Sequence, residues 1–152
     1  MKKIGWIALF MIGFTLAAAP QRTTYRDASG RSTGSATVSG NQTTYRDSSG
    51  RVTGRSTTSG SRTTYRDASG RSVGSATVSG NQTIYRDAQG RVSLRATTSG
   101  NRTIYRDASG RSVGSATVSG KQVTYRDAQG RVVSRGTLPA NGKVPPLPVM
   151  GK

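Results

Sequence analysis

Tyrosine, arginine and aspartate are the residues of this chain whose side chains could do chemistry, and they recur together as Tyr-Arg-Asp every 20 residues. The chain has no histidine, no cysteine and no glutamate, so its six acidic residues are the aspartates of this motif. These residue types offer no nucleophile–base pair, no paired-carboxylate site and no metal cluster. The sequence therefore predicts a protein that is not an enzyme and that uses no metal, no cofactor and no small-molecule substrate.

The positive charge indicates anionic partners instead. Residues 20–137 contain nineteen arginine and lysine residues against six aspartates, and the whole chain has a net charge of +17. Arginine spaced along strands can contact phosphate groups, and a neighbouring tyrosine can add stacking. The predicted partners are anionic polysaccharide, lipopolysaccharide or nucleic acid. The candidate binding residues are Arg26, Arg46, Arg66, Arg86, Arg106, Arg126, Arg55, Arg62, Arg95 and Arg102.

The Tyr-Arg-Asp motif itself is better explained as a structural part of the repeat. In the segment 27–30, Asp27 can cap a turn from its first position, and Gly30 can adopt a left-handed backbone at its fourth. A three-residue loop there sets Asp27 opposite Arg31 as an ion pair and makes Tyr25 face position 33. The predicted structural residues are Tyr25, Tyr45, Tyr65, Tyr85, Tyr105, Tyr125, Asp27, Asp47, Asp67, Asp87, Asp107, Asp127, Gly30, Gly50, Gly70, Gly90, Gly110 and Gly130.

Two turn signals divide each repeat into two short strands. The second signal is Ser39-Gly40-Asn41 with its equivalents, and the segments between turns are rich in Thr, Val, Tyr and Arg without helical periodicity. The predicted fold is all-β: an antiparallel β-meander of six 20-residue, two-strand units in an elongated, single-layer sheet. A β-solenoid with one coil per repeat is the alternative, but it would stack arginines in like-charge ladders about 4.8 Å apart.

Odd and even repeats differ, so the true period is 40 residues. Duplication of a two-repeat segment explains this pattern without function, and a geometric interpretation is that tyrosines alternate between the two faces of the sheet. In either case Arg55 with Arg62, and Arg95 with Arg102, flank the same turns and form basic clusters. Positions 35, 75 and 115 are serine where 55, 95 and 135 are arginine, and positions 22, 62 and 102 are arginine where 42, 82 and 122 are glutamine.

The repeats contain few aliphatic residues, and the two ends of the chain differ from them. Residues 20–137 hold thirteen Val, Ile and Leu and no Phe, so a conventional hydrophobic core is not expected.

Residues 1–19, with two lysines before an apolar run at 4–16, are typical of a secretory signal peptide. Pro20 disfavours cleavage just before it, which keeps an uncleaved, membrane-tethered form open. Residues 138–152 are predicted to be a proline-rich flexible tail. The predicted location is the periplasm, the cell surface or the extracellular space.

The Tyr-x-Asp-x-x-Gly-Arg core in 20-residue units resembles the YD repeats of Rhs-type proteins. Together with the second glycine turn it also resembles MORN-type hairpin repeats. Both resemblances cover residues 25–137, and they imply a β-hairpin array at the cell surface or in a binding role, with no specific activity. In composition the repeats are also similar to curli-type amyloid repeats, although their arginine density opposes tight cross-β packing.

The leading functional hypothesis is an exported, non-enzymatic structural or adhesive protein whose cationic sheet binds anionic polymers of the cell envelope or matrix. The rival hypothesis is a self-assembling, curli-like fibre subunit whose open edge strands pair between molecules. Ice binding through a regular lattice of hydroxyl groups is a minor alternative. Ionic strength separates the first two, because polymer binding weakens with salt whereas fibre formation persists as repulsion is screened.

Overall fold

The computed structural model describes residues 21–138, which form twelve β-strands in six hairpins. The predicted signal peptide and the predicted tail beyond Leu138 lie outside the described residues. No helix within 21–138 is long and apolar enough to span a membrane. The strands are β1 (Gln21–Asp27), β2 (Ser32–Ser39), β3 (Gln42–Asp47), β4 (Val52–Ser59), β5 (Arg62–Asp67), β6 (Ser72–Ser79), β7 (Gln82–Asp87), β8 (Val92–Ser99), β9 (Arg102–Asp107), β10 (Ser112–Ser119), β11 (Gln122–Asp127) and β12 (Val132–Thr137).

The twelve strands form one closed antiparallel barrel in which chain neighbours are sheet neighbours. The predicted all-β, antiparallel meander of two-strand units is therefore confirmed. The predicted elongated, open sheet is wrong, because β1 pairs with β12. The solenoid alternative is also wrong, because strands pair with their chain neighbours and not with the equivalent strand of the next repeat. At this seam Tyr25 lies opposite Gly136 and Arg26 lies opposite Arg135.

A constant stagger between hairpins explains the closure. Ala36 pairs with Thr23 on one side and with Tyr45 on the other, so a row of paired residues shifts by two positions at each hairpin. Six hairpins accumulate a stagger of 12 residues, equal to the number of strands. Such a stagger tilts the strands by about 35° to the barrel axis, as closure of a barrel requires.

The hairpin turns lie at the two predicted positions of each repeat. In the first turn the amide of Gly30 donates to the carbonyl oxygen of Asp27 at 3.1 Å, and the amide of Arg31 donates to Oδ1 of Asp27 at 3.0 Å. Gly30 has a φ of +84°, and Gly40 in the second turn has a φ of +57°. These left-handed values favour glycine, which explains why both positions are glycine in the repeat.

A β-bulge follows the Asp-Gly turn of every hairpin. Arg26 pairs with Ser32 whereas Tyr25 pairs with Gly34, so Thr33 is an extra residue on β2. The prediction that Tyr25 faces position 33 is therefore wrong. An odd-numbered loop alone would reverse which side chains of the following strand point inward. The extra bulge residue reverses them once more, so every repeat presents the same face to the interior. The interpretation that tyrosines alternate between the two faces is wrong for the same reason.

Tyrosine rings fill the barrel interior. All six tyrosines are 0–7% exposed, and each is flanked on both neighbouring strands, as Tyr45 is by Ala36 and Gly54. Thr23 and its equivalents are also buried, whereas Leu94 is one of few larger aliphatic side chains in the core. The chain thus builds its core from aromatic area rather than from the aliphatic residues that it lacks.

Candidate polyanion-binding surface

Side chains alternate between the two faces along each strand. Because the tyrosines point into the barrel, the arginines next to them in sequence point outward. Residues paired across neighbouring strands share a face, so the strand register defines rows of outward side chains. Three rows, here called the arginine rows, each hold three arginines. They are Arg22–Thr37–Thr44–Arg55–Arg66, Arg62–Thr77–Ile84–Arg95–Arg106 and Arg102–Thr117–Thr124–Arg135–Arg26.

Three glutamine rows separate the arginine rows, and each of them holds a single arginine. The 40-residue period of the sequence therefore becomes a three-fold alternation of charge around the barrel. The glutamine rows are Gln42–Thr57–Thr64–Ser75–Arg86, Gln82–Thr97–Ile104–Ser115–Arg126 and Gln122–Thr137–Thr24–Ser35–Arg46.

Each arginine row ends in two arginines that lie directly opposite each other on neighbouring strands. These pairs are Arg55 with Arg66, Arg95 with Arg106, and Arg135 with Arg26. All six side chains are exposed. Like charges directly opposite each other destabilise a sheet, so each pair is a local concentration of positive charge that an anion would neutralise.

Backbone carbonyl groups hold the paired arginines at the barrel end. Nη1 of Arg106 donates to the carbonyl oxygen of Gly110 at 3.3 Å, and Nη1 of Arg95 donates to that of Ala108 at 3.4 Å. Both guanidinium groups therefore converge on one turn. A guanidinium has five N–H donors, and Arg95 and Arg106 each use one of them in these two bonds.

The aspartates serve the turns rather than the arginine rows. Asp67 forms an ion pair with Arg71 (Oδ2 to Nε, 3.0 Å), and equivalent pairs join Asp107 to Arg111 and Asp127 to Arg131. The Ser69 hydroxyl, helped by the backbone and side chain of Arg71, lowers the pKa of Asp67 to about 2. The predicted pairing of turn aspartate and turn arginine is thus seen in these three repeats. These aspartates therefore neutralise arginines of the turns. None of the three ion pairs includes an arginine of the arginine rows.

The tyrosines are on the wrong side of the sheet for the stacking role that the sequence suggested. Burial raises the pKa of Tyr85 well above its usual value, with neighbouring phenols adding to the effect. Tyr45 donates or accepts one hydrogen bond with Ser56 at 3.1 Å. With every tyrosine inside, the outer face of residues 21–138 presents no aromatic ring to a partner.

The structure distributes the ten predicted binding arginines unequally. Seven of them lie in the arginine rows, whereas Arg46, Arg86 and Arg126 lie in the glutamine rows. Arg55 and Arg62 belong to different arginine rows, and Arg95 and Arg102 are separated in the same way. Two further members, Arg22 and Arg135, were outside the predicted set. The signal for them is the 40-residue period, which makes position 22 equivalent to 62 and 102, and position 135 equivalent to 55 and 95.

The chain matches no known protein family, and no curated protein shows significant similarity to it. Within residues 21–138 no group of three or more His, Cys, Asp or Glu is placed to hold a metal ion. A shallow depression between β8 and β9 is lined by polar, basic and aliphatic side chains, namely Thr97, Ser99, Arg102, Ile104 and Arg106. The nine arginines of the arginine rows are all exposed on the outer face of residues 21–138.

Proposed function

We propose that the protein is an exported, non-enzymatic binding protein, structural or adhesive in role, that holds anionic polymers of the cell envelope or matrix on its outer face. The observation that carries this proposal is the set of three exposed arginine pairs, each on directly opposite positions of neighbouring strands. A sheet without a ligand gains nothing from such a pair, because like charges in that position repel. A bound phosphate, sulfate or carboxylate turns the repulsion into two charge-assisted hydrogen bonds.

The charge of the whole chain supports the same conclusion. A net charge of +17 attracts polyanions over a distance and raises their rate of association at low salt. Arginine contacts with a polyanion release condensed counterions, so binding weakens as ionic strength rises. This dependence separates polymer binding from association through apolar surface.

The fibre hypothesis depends on unpaired edge strands, and the barrel offers none. β1 and β12 pair with each other, so within residues 21–138 every strand has a neighbour on both sides. Closure of a sheet is the most complete protection against edge-to-edge pairing. Self-association through edge strands therefore has no structural support in the closed form, and the ice-binding alternative has no flat array on which to act.

A triple variant tests the proposal against a control of equal charge. Arg55→Ser, Arg95→Ser and Arg135→Ser remove one member of each pair and introduce the residue that positions 35, 75 and 115 already carry. We expect heparin to bind the triple variant about tenfold more weakly, because each bound segment loses one charge-assisted contact, and the salt slope to fall by about one per segment. The measurement is titration calorimetry at several salt concentrations.

The control removes the same charge from the turns. Arg31→Ser, Arg51→Ser and Arg91→Ser change three exposed arginines that lie outside the rows. We expect this variant to keep most of the heparin affinity. Equal weakening in both variants would show that heparin responds to net charge alone, and a wild-type protein that does not bind heparin at low salt would overturn the proposal.

A further inference from the structure

The three arginine rows face in different directions around the barrel. Twelve strands spaced by about 4.8 Å and tilted by about 35° enclose a backbone cylinder about 22 Å wide. Each arginine row lies four strands from the next, with a glutamine row between them. Neighbouring rows meet on one strand, as Arg66 and Arg62 do on β5. Their arginine pairs, however, lie on β4 and β5, on β8 and β9, and on β12 and β1, so consecutive pairs are a third of the circumference apart.

We infer that the barrel is a three-way cross-linker, in which each arginine row binds a separate segment of a linear anionic polysaccharide. This inference rests on the proposed function and adds to it the number of sites, their equivalence and the class of polymer. The rows are equivalent in their three arginines and first threonine, which recur 40 residues later in the chain, except that the third row closes with Arg26 across the seam. They differ at the third position, where Ile84 stands in place of Thr44 and Thr124. Three equivalent sites that point apart bring three chains together, which is a multivalent arrangement and not a single groove.

The composition of a row favours a polysaccharide over a nucleic acid. In Arg62–Thr77–Ile84–Arg95–Arg106 the first arginine is three strands from the pair, a gap of about 14 Å. This gap holds Thr77 and Ile84, and the corresponding gaps of the other two rows hold two threonines each. None of the three gaps holds a charge, which suits a polymer with neutral, hydroxyl-bearing units between its charged groups. Nucleic acid strands carry a phosphate at every nucleotide and are gripped through base stacking on aromatic rings, and the outer face of 21–138 has no such ring.

The experiment counts sites with a short glycan and detects bridging with a long one. Titration calorimetry with a heparin octasaccharide should give three equal sites per protein chain. Light scattering with full-length heparin should rise to a maximum as the protein is added and fall again in excess protein, because cross-links are lost when every polymer segment has its own barrel. A single-stranded DNA of similar charge should bind more weakly at equal ionic strength.

The chain supplies its own replacement residues for removing rows one at a time. Arg22→Gln with Arg55→Ser converts the first arginine row to the composition of a glutamine row, using residues found at equivalent positions 42 and 75. Arg62→Gln with Arg95→Ser does the same for the second row. We expect two sites after the first conversion, and one site with no scattering maximum after both. Arg51→Gln with Arg91→Ser removes equal charge from turns and should leave three sites.

The outcomes separate this inference from the proposed function. Salt-sensitive heparin binding with one site per chain, or clustering unchanged after two rows are converted, would overturn the cross-linker and leave polymer binding intact. Tighter binding of the DNA than of heparin would overturn the assignment to a polysaccharide. Absence of any salt-sensitive binding would overturn both.

Discussion

At the scale of single residues, the six tyrosines are chemically alike but not equally partnered. The hydroxyl of Tyr85 is fully buried and makes no hydrogen bond to residues 21–138, whereas the hydroxyl of Tyr45 lies 3.1 Å from Oγ of Ser56. A buried polar group without a partner costs free energy, and a paired one contributes a net gain of about 1 kcal/mol. The two positions therefore respond differently to loss of the hydroxyl group.

Tyr85→Phe should leave the free energy of unfolding unchanged or raise it, because the ring is kept and an unpaired hydroxyl is removed. Tyr45→Phe should lower it by about 1 kcal/mol, since the Ser56 hydroxyl also loses its partner. Urea unfolding followed by far-ultraviolet circular dichroism measures both values. Equal destabilisation by the two substitutions would show that the Tyr85 hydroxyl is hydrogen bonded after all.

At the scale of the strand and the turn, much of the structure could be predicted from the repeat. Asp27 and Gly30 identify one turn and Gly40 identifies the other. An aspartate side chain that accepts a backbone hydrogen bond, and a glycine with a left-handed backbone, are both typical of turns. The bulge at Thr33 could not be predicted, because neither Thr33 nor its equivalents have a residue type specific to bulges. Without the bulge the facing of each strand is misassigned, which explains the errors over position 33 and over tyrosine alternation.

The candidate site could be predicted in composition but not in grouping. Arginines of the repeat are readily found, and the 40-residue period singles out positions 22, 55 and their equivalents. Which of them meet depends on pairing across strands, and Arg55 lies beside Arg66 rather than beside Arg62. The short loop between Ser59 and Arg62 sets these two residues opposite each other, and the regular pairing that follows brings Arg55 opposite Arg66. Arg55 and Arg62, which are closer in sequence, therefore belong to separate rows.

At the scale of the whole molecule, the six buried phenols make the barrel sensitive to alkali. An unfolded tyrosine ionises at about pH 10, whereas burial raises the pKa of Tyr25, Tyr65, Tyr85 and Tyr125 well above that value. Neutral phenols thus stabilise the fold fully below pH 10, and this stability is lost as the pH rises from there towards the folded-state pKa values.

We expect tyrosinate to appear in one cooperative step that coincides with loss of the β-sheet signal. Near-ultraviolet absorbance reports tyrosinate, and far-ultraviolet circular dichroism of the same samples reports the barrel. A short peptide of one repeat, which cannot form the barrel, provides the control and should titrate at about pH 10. Gradual titration of phenols in a barrel that remains folded would contradict this prediction.

Closure of the barrel distinguishes it from the open sheet, and the seam between β1 and β12 tests it directly. Thr24 and Thr137 lie opposite each other across this seam on the outer face, and the chain has no native cysteine. Cross-strand neighbours fall within the Cα separation of about 4.4 to 6.8 Å that a disulfide needs. In an open sheet the same residues would be about 50 Å apart, because eleven strand spacings would separate them.

Thr24→Cys with Thr137→Cys should therefore form an intramolecular disulfide on oxidation. It closes a loop of most of the chain, so the oxidised protein should gain up to about 4 kcal/mol against unfolding over the reduced protein. Non-reducing electrophoresis, peptide mass mapping and urea unfolding give the measurement. Thr24→Cys with Thr117→Cys is the matched control, since β10 is three strands from β1 around the barrel, and it should stay reduced as a monomer. Cross-linking of the seam pair only between molecules would mean that the sheet is open in solution.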